Sequence, residues 1–108
     1  MKSKRFGGGM AAMLVMVCSA TAQAAGDART LQTQSLAATC AACHGSGGRA
    51  IDGATVPGLA GLPAGYLAEQ MRGFKSGARA ATVMHQIAKG YNDAQIDQLA
   101  AHFAAQAK

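Results

Sequence analysis

The apolar positions of this chain fall at helical spacing, and no stretch alternates with period two. Leu67, Met71 and Phe74 stand at i, i+4 and i+7, one face of a helix; Ile96, Leu99, Ala100 and Phe103 stand at i, i+3, i+4 and i+7. From Asp27 to about Cys43 the chain is rich in alanine and free of glycine and proline, which favours helix. Gly45, Gly47 and Gly48 follow where a helix end needs residues that accept positive φ. A loop is expected from about Ser46 to Leu62, carrying Gly53, Pro57, Gly58 and Gly61. Pro63 suits the first position of a second helix, and Gly77 its stop. Thr82 to Lys89 reads as a short helix or turn closed by Gly90, and Asn92 with Gln95 three residues on spells a capping box for the last helix. Without hairpin signals or alternation no sheet is expected. The prediction is one all-α domain of three or four helices.

The first stretch reads differently. Lys2, Lys4 and Arg5 precede an apolar run from roughly Met10 to Ala20, and small residues close the segment as Ala20-Thr21-Ala22-Gln23-Ala24-Ala25. A basic start, an apolar middle and an A-x-A exit make a secretory signal peptide, here residues 1–24, leaving a domain at 25–108. The apolar run is about half of what a bilayer span needs, so no retained membrane segment is expected. Cys18 follows Val17, a larger residue than a lipid-modified cysteine calls for, which disfavours a lipoprotein.

Cleavage changes the meaning of the charge. The whole chain has ten basic and five acidic residues, net +5. Three of the basic residues belong to the leader and all five acids (Asp27, Asp52, Glu69, Asp93 and Asp97) lie beyond it, which leaves seven against five, or +2. No Lys/Arg stripe interleaved with aromatics remains to suggest nucleic acid. The remaining 84 residues contain no Trp. A chain this short buries little surface and needs a staple such as a metal, a disulfide or a cofactor.

Cys40-Ala41-Ala42-Cys43-His44 supplies one. C-x-x-C-H is the spacing of covalent haem attachment. On a helix, positions 40, 43 and 44 share a face, so two thiols meet one edge of the porphyrin and the imidazole is carried to the iron. Zinc would want a fourth ligand, and no second C-x-x-C exists. A thioredoxin-like pair would want a βαβ context, and a plain disulfide would leave His44 without a role. The expectation is one haem c on Cys40 and Cys43, with His44 on the iron. Long glycine-bearing loops, unusual in a compact domain, make sense if they wrap that flat cofactor.

The second axial position separates electron carriers from enzymes. Met71, Met84, His85 and His102 are the candidates, and spacing leaves them open. Met71 shares a face with Leu67 and Phe74, which suits core filling; His102 lies off the apolar stripe of the last helix. Met84 stands late in the chain after Gly77-Ala78-Arg79-Ala80-Ala81-Thr82-Val83, far enough from His44 for a loop to cross to the other haem face.

Two stretches, LAATCAACHG and VPGLAGLPAGYLAEQMRGFKSGARAATVMHQIAKGYNDAQIDQLAAHFAAQ, resemble the small bacterial class I cytochromes c, from about Leu36 to Gln106. FKSGARAATVMHQIAKGY is similar, more narrowly, to the cytochrome subunit of flavocytochrome c sulfide dehydrogenase and related high-potential carriers. The resemblance implies the class I cytochrome c fold around one covalent haem, Met84 as distal ligand, and the Pro57 carbonyl bonded to the second ring nitrogen of the proximal His44. That family includes two-haem forms, whereas a single C-x-x-C-H here implies one haem. The implied role is periplasmic one-electron transfer, catalysis residing on a flavin-containing sulfide dehydrogenase partner. A freestanding periplasmic carrier is the alternative. A haem enzyme or gas sensor requires an open iron and fails if Met84 is bound.

Overall fold

The structure, a computed structural model, describes the backbone from residue 9 to 108 and side chains from residue 22. Lys2, Lys4 and Arg5 of the expected leader, and the side chains of the apolar run that follows, lie outside the described residues. The chain divides into two units, Met1–Gln32 and Thr33–Lys108. In the first, the described backbone is helical from Gly9 onward. No helix among the described residues is long and apolar enough to cross a membrane.

The second unit holds the fold. The described elements are α1 (Gly9–Ala38), α2 (Ala41–His44), a 3-10 turn at Ser46–Gly48, α3 (Ala64–Ser76), α4 (Met84–Lys89) and α5 (Asp93–Ala104), with no strand among them. α3 packs against both α4 and α5. The buried cluster joins Ala37 at the end of α1 to Leu67 and Ala68 of α3 and to Ile96, Leu99, Ala100 and Phe103 of α5. The periodic stripe read from the sequence of α5 is therefore its buried face.

Helix ends follow local chemistry. Asn92 accepts from the Gln95 backbone N–H at 2.8 Å while the Gln95 side chain accepts from the Asn92 N–H at 2.9 Å, which completes the expected capping box. Gly77 closes α3 at φ 83°, in the left-handed region that favours glycine. Pro63 stands one place earlier than expected: it is the N-cap of α3, in extended backbone at ψ 134°, and its carbonyl accepts from Leu67 N at 3.0 Å. Replacing Asn92 by alanine strands the Gln95 backbone N–H, one of the helix's N-terminal donors. It should cost about 1 kcal/mol, seen in thermal unfolding of the haem-loaded protein as a Tm lower by about 4–8 °C.

The segment from Asp27 to Cys43 is not one helix. It breaks at Thr39–Cys40, between α1 and α2. Thr39 turns its hydroxyl back onto the Leu36 carbonyl at 2.8 Å, and Cys40 N bonds Ala37 O at 3.1 Å, so the last turn of α1 is tightened to three-residue bonds. A four-residue helix then restarts at Ala41.

Candidate functional site

Although α2 is only one turn long, it fixes the relative placement of Cys40, Cys43 and His44. His44 N bonds Cys40 O at 2.9 Å and Gly45 N bonds Ala41 O at 3.1 Å, so residues 40 to 44 keep α-helical hydrogen bonding. All three side chains line one cavity. Cys43 is exposed and Cys40 half-buried; burial pushes the Cys40 thiol up, against a smaller lowering by its hydrogen bond with Thr39. Gly45, at φ 87°, sends the chain away at once, and a Cβ there would sit 1.9 Å from the Arg49 carbonyl oxygen. Only glycine fits.

The glycine-bearing loop then returns beneath the histidine. Leu59 N and Ala60 N both donate to Gly48 O, at 2.7 and 3.0 Å, which pins the Pro57–Gly58 step against the first turn. Gly48, at φ 76°, lies against Phe103: a Cβ would meet the ring at 2.7 Å. Through this clamp the Pro57 carbonyl stands 2.7 Å from His44 Nδ1. A carbonyl oxygen only accepts, so Nδ1 carries the proton and Nε2 keeps its lone pair. The imidazole is buried. Its free nitrogen is the one suited to bind iron, with the ring's tautomer set by the bond to Pro57.

The cavity has a volume of about 530 Å³. α2 and the 55–62 loop line part of it; Leu67, Met71 and Phe74 of α3, Met84 and Ile87 of α4, and Leu99 and Phe103 of α5 line the remainder. Both candidate thioethers therefore reach the cavity. His85 is not among its lining residues, and its Nδ1 is buried without a hydrogen-bond partner. His102 is also absent from the wall and stands edge-on to Phe103, ring centroids 5.2 Å apart. Of the four distal candidates the fold brings Met71 and Met84 to the cavity. Arg79, passed over in the sequence as an ordinary loop residue, also lines it; a lone cation within an otherwise uncharged run from Ser76 to His85 was the available signal.

These residues suit a haem. Two cysteines, a histidine with one nitrogen committed to a carbonyl and a thioether on another element share an apolar chamber large enough to replace much of a core. The buried side chains of the domain are otherwise mostly small, and Ile96 is the large residue that is fully enclosed. A sequence model of the family described as cytochrome c matches residues 32–105.

The chain belongs to the cytochrome c family.

As a cytochrome c domain it holds haem c covalently and transfers electrons, and Cys40 and Cys43 fit the attachment motif. Relatives narrow the comparison. The cytochrome is 49% identical over 67 residues to a thiosulfate dehydrogenase electron acceptor of Thiomonas intermedia, covering 62% of this chain and 31% of the relative. To the protein of that name from Stutzerimonas stutzeri it is 40% identical over 96 residues, 85% of this chain and 44% of the relative. It is 35% identical over 68 residues to the cytochrome subunit of sulfide dehydrogenase of Chlorobaculum tepidum, 63% of this chain and 60% of that one. The matched region thus spans less than half the length of the first two relatives.

Proposed function

We propose that this cytochrome is an exported monohaem carrier that accepts single electrons from a dehydrogenase acting on a reduced inorganic sulfur compound, with His44 and Met84 as the axial ligands. The observation that carries the reading is the pairing of His44, its Nδ1 committed to Pro57 O at 2.7 Å, with a thioether from α4 on the wall of the same cavity. Bound there, haem supplies a one-electron ferric/ferrous couple. His44 is held in one tautomer and orientation by Pro57. The soft sulfur of Met84 favours the reduced metal and, with apolar walls, raises the potential. With His44 and Met84 both holding the iron, no place would remain for peroxide, oxygen or sulfide, which supports a carrier with the catalytic step on a partner. Export by residues 1–24, with cleavage after Ala24, would deliver the chain to the periplasm, where C-x-x-C-H haem is attached.

The partner is proposed on two grounds. The similarity around FKSGARAATVMHQIAKGY, and the relative named as a sulfide dehydrogenase subunit, point to a flavin-containing sulfide dehydrogenase. The higher identity to thiosulfate dehydrogenase electron acceptors favours a second reading, in which thiosulfate is the electron source. Charge is consistent with a lasting complex rather than a steered encounter: once the leader is removed the chain has seven basic and five acidic residues, a weak basis for long-range attraction. Ala42, Ile51 and Ala54 line one shallow hollow with Cys43, and Ile51 is 81% exposed.

Purification of the native protein tests this. The flavoprotein reading expects a flavin-containing subunit that stays bound at moderate salt, sulfide reducing the haem rapidly in the complex and slowly in the isolated cytochrome. Rapid reduction by thiosulfate through a thiosulfate dehydrogenase, with none by sulfide, selects the second reading. A protein that elutes alone and is accelerated by neither enzyme contradicts both and leaves a freestanding carrier.

A further inference from the structure

The cavity that takes the haem is lined by uncharged side chains with one fixed exception. Arg79 lies on its wall, and no carboxylate lines it among the described residues. The guanidinium is held in place. It stands over the Phe74 ring, 4.5 Å from the centroid, its Nη1 donates to Gln70 Oε1, and the Arg79 backbone N donates to Gly73 O at 3.0 Å. Gly73 permits that approach, since a Cβ there would meet the Arg79 Cβ at 3.3 Å. Phe74 and Gln70 line the same cavity. Among the described residues no Asp or Glu lies within ion-pairing distance of Arg79; the cations of α3 pair with acids of α5 instead, Arg72 with Asp97 at 2.7 Å and Lys75 with Asp93 at 3.3 Å.

A guanidinium stacked on an aromatic and fixed by a side-chain amide is preorganised to receive a carboxylate. Haem carries two carboxylates, its propionates, on the edge of the ring remote from the thioethers. Cys40 and Cys43 fix the thioether edge on α2, whereas Arg79 belongs to the wall built by α3 and the loop that follows it.

We propose that Arg79 forms an ion pair with a haem propionate, presented by Phe74 and Gln70, and that this pair raises the reduction potential of the cytochrome. The inference rests on covalent attachment at Cys40 and Cys43. Its physical content is charge: an unpaired propionate stabilises ferric over ferrous iron, and a fixed cation beside the carboxylate cancels that preference. Arg79 lines the cavity and is exposed, so a propionate paired with it would meet solvent and a cation at once.

Equilibrium redox titration and redox-difference infrared spectroscopy of the haem-loaded Arg79→Gln and Arg79→Lys proteins test this pairing. Arg79→Gln is expected to lower the midpoint potential, so that at a fixed poise the ferric-to-ferrous ratio rises several-fold, and to displace the carboxylate stretching bands. Arg79→Lys, which keeps the charge, should recover most of the potential. An unmoved potential together with unmoved carboxylate bands in Arg79→Gln overturns the pairing. Should Arg79→Gln not accumulate with haem, Arg79→Lys decides: shifted carboxylate bands support the ion pair and a spectrum identical to the wild type overturns it. The near-infrared sulfur-to-iron band, recorded on the same samples, reports distal ligation separately. Its absence from the wild type contradicts the role given to Met84 and leaves the carboxylate test standing.

Discussion

Cys40→Ala or Cys43→Ala is expected to cut the yield of folded, haem-loaded protein by roughly tenfold or more, because the staple of so short a chain is also much of its interior. Among the described residues, apart from Leu67, Ile96, Leu99 and Phe103, the buried apolar side chains are alanines: Ala37, Ala60, Ala68, Ala88 and Ala100. Such side chains cannot fill a chamber of about 530 Å³. Helices whose inner faces have nothing to bury against lose most of their stabilisation, since an isolated helix of 12 or 13 residues, the lengths of α5 and α3, is marginal in water. Cys40 should be the more damaging of the two, for it also packs against the buried cluster whereas Cys43 is exposed. Haem absorbance per milligram of purified protein measures the loss. Full yields of stable, colourless protein would show that the domain has a sufficient core of its own.

The second large effect is at Met84. With the thioether removed, Met84→Ala should open one axial position, bind carbon monoxide or cyanide readily, and lower the midpoint potential. A drop of roughly 0.1 V or more is reasonable, against the span of about 0.8 V over which axial ligands set haem potentials. The fold should survive better than in the cysteine variants, because attachment at α2 and the His44–Pro57 bond at 2.7 Å are untouched. Met71→Ala should bind no carbon monoxide and should instead behave as a core truncation, destabilising by about 2–5 kcal/mol if the space does not close. Met71 packs against the buried cluster as well as lining the cavity.

The contrast between these two methionines shows where the sequence is informative. Elements governed by local chemistry were legible: the Asn92–Gln95 capping box, the Gly77 stop, the Gly90 end of α4 and the buried stripe of α5 all follow from neighbours in the chain. The attachment motif was legible because its chemistry is also local, spanning one helical turn. Periodicity, however, reports only which face of α3 is apolar. Here the cavity and the core lie on the same face, since the cofactor completes the interior, so Leu67, Met71 and Phe74 read alike although all three also line the cavity.

The break at Thr39 was hidden for a different reason. Nothing in an alanine-rich stretch forbids a continuous helix, and the interruption comes from the Thr39 hydroxyl bonding backward to Leu36 O at 2.8 Å and reaching the Tyr91 hydroxyl at 3.1 Å, a contact across 52 residues of chain. Arg79 is the same kind of case. Its significance lies in what Phe74, Gln70 and Gly73 place around it, and that depends on how the loop after Gly77 folds back along α3. His85, a reasonable ligand by type, is absent from the lining of the cavity that both Met71 and Met84 reach.

The near-infrared spectrum of the oxidised protein tests the ligation most directly, recorded side by side for the wild type, Met71→Ala and Met84→Ala. A thioether on ferric haem gives a weak band there that other axial ligands do not. The band is expected in the wild type and in Met71→Ala, and is expected to be lost in Met84→Ala. A band that persists without Met84 and vanishes without Met71 would contradict the role given to Met84.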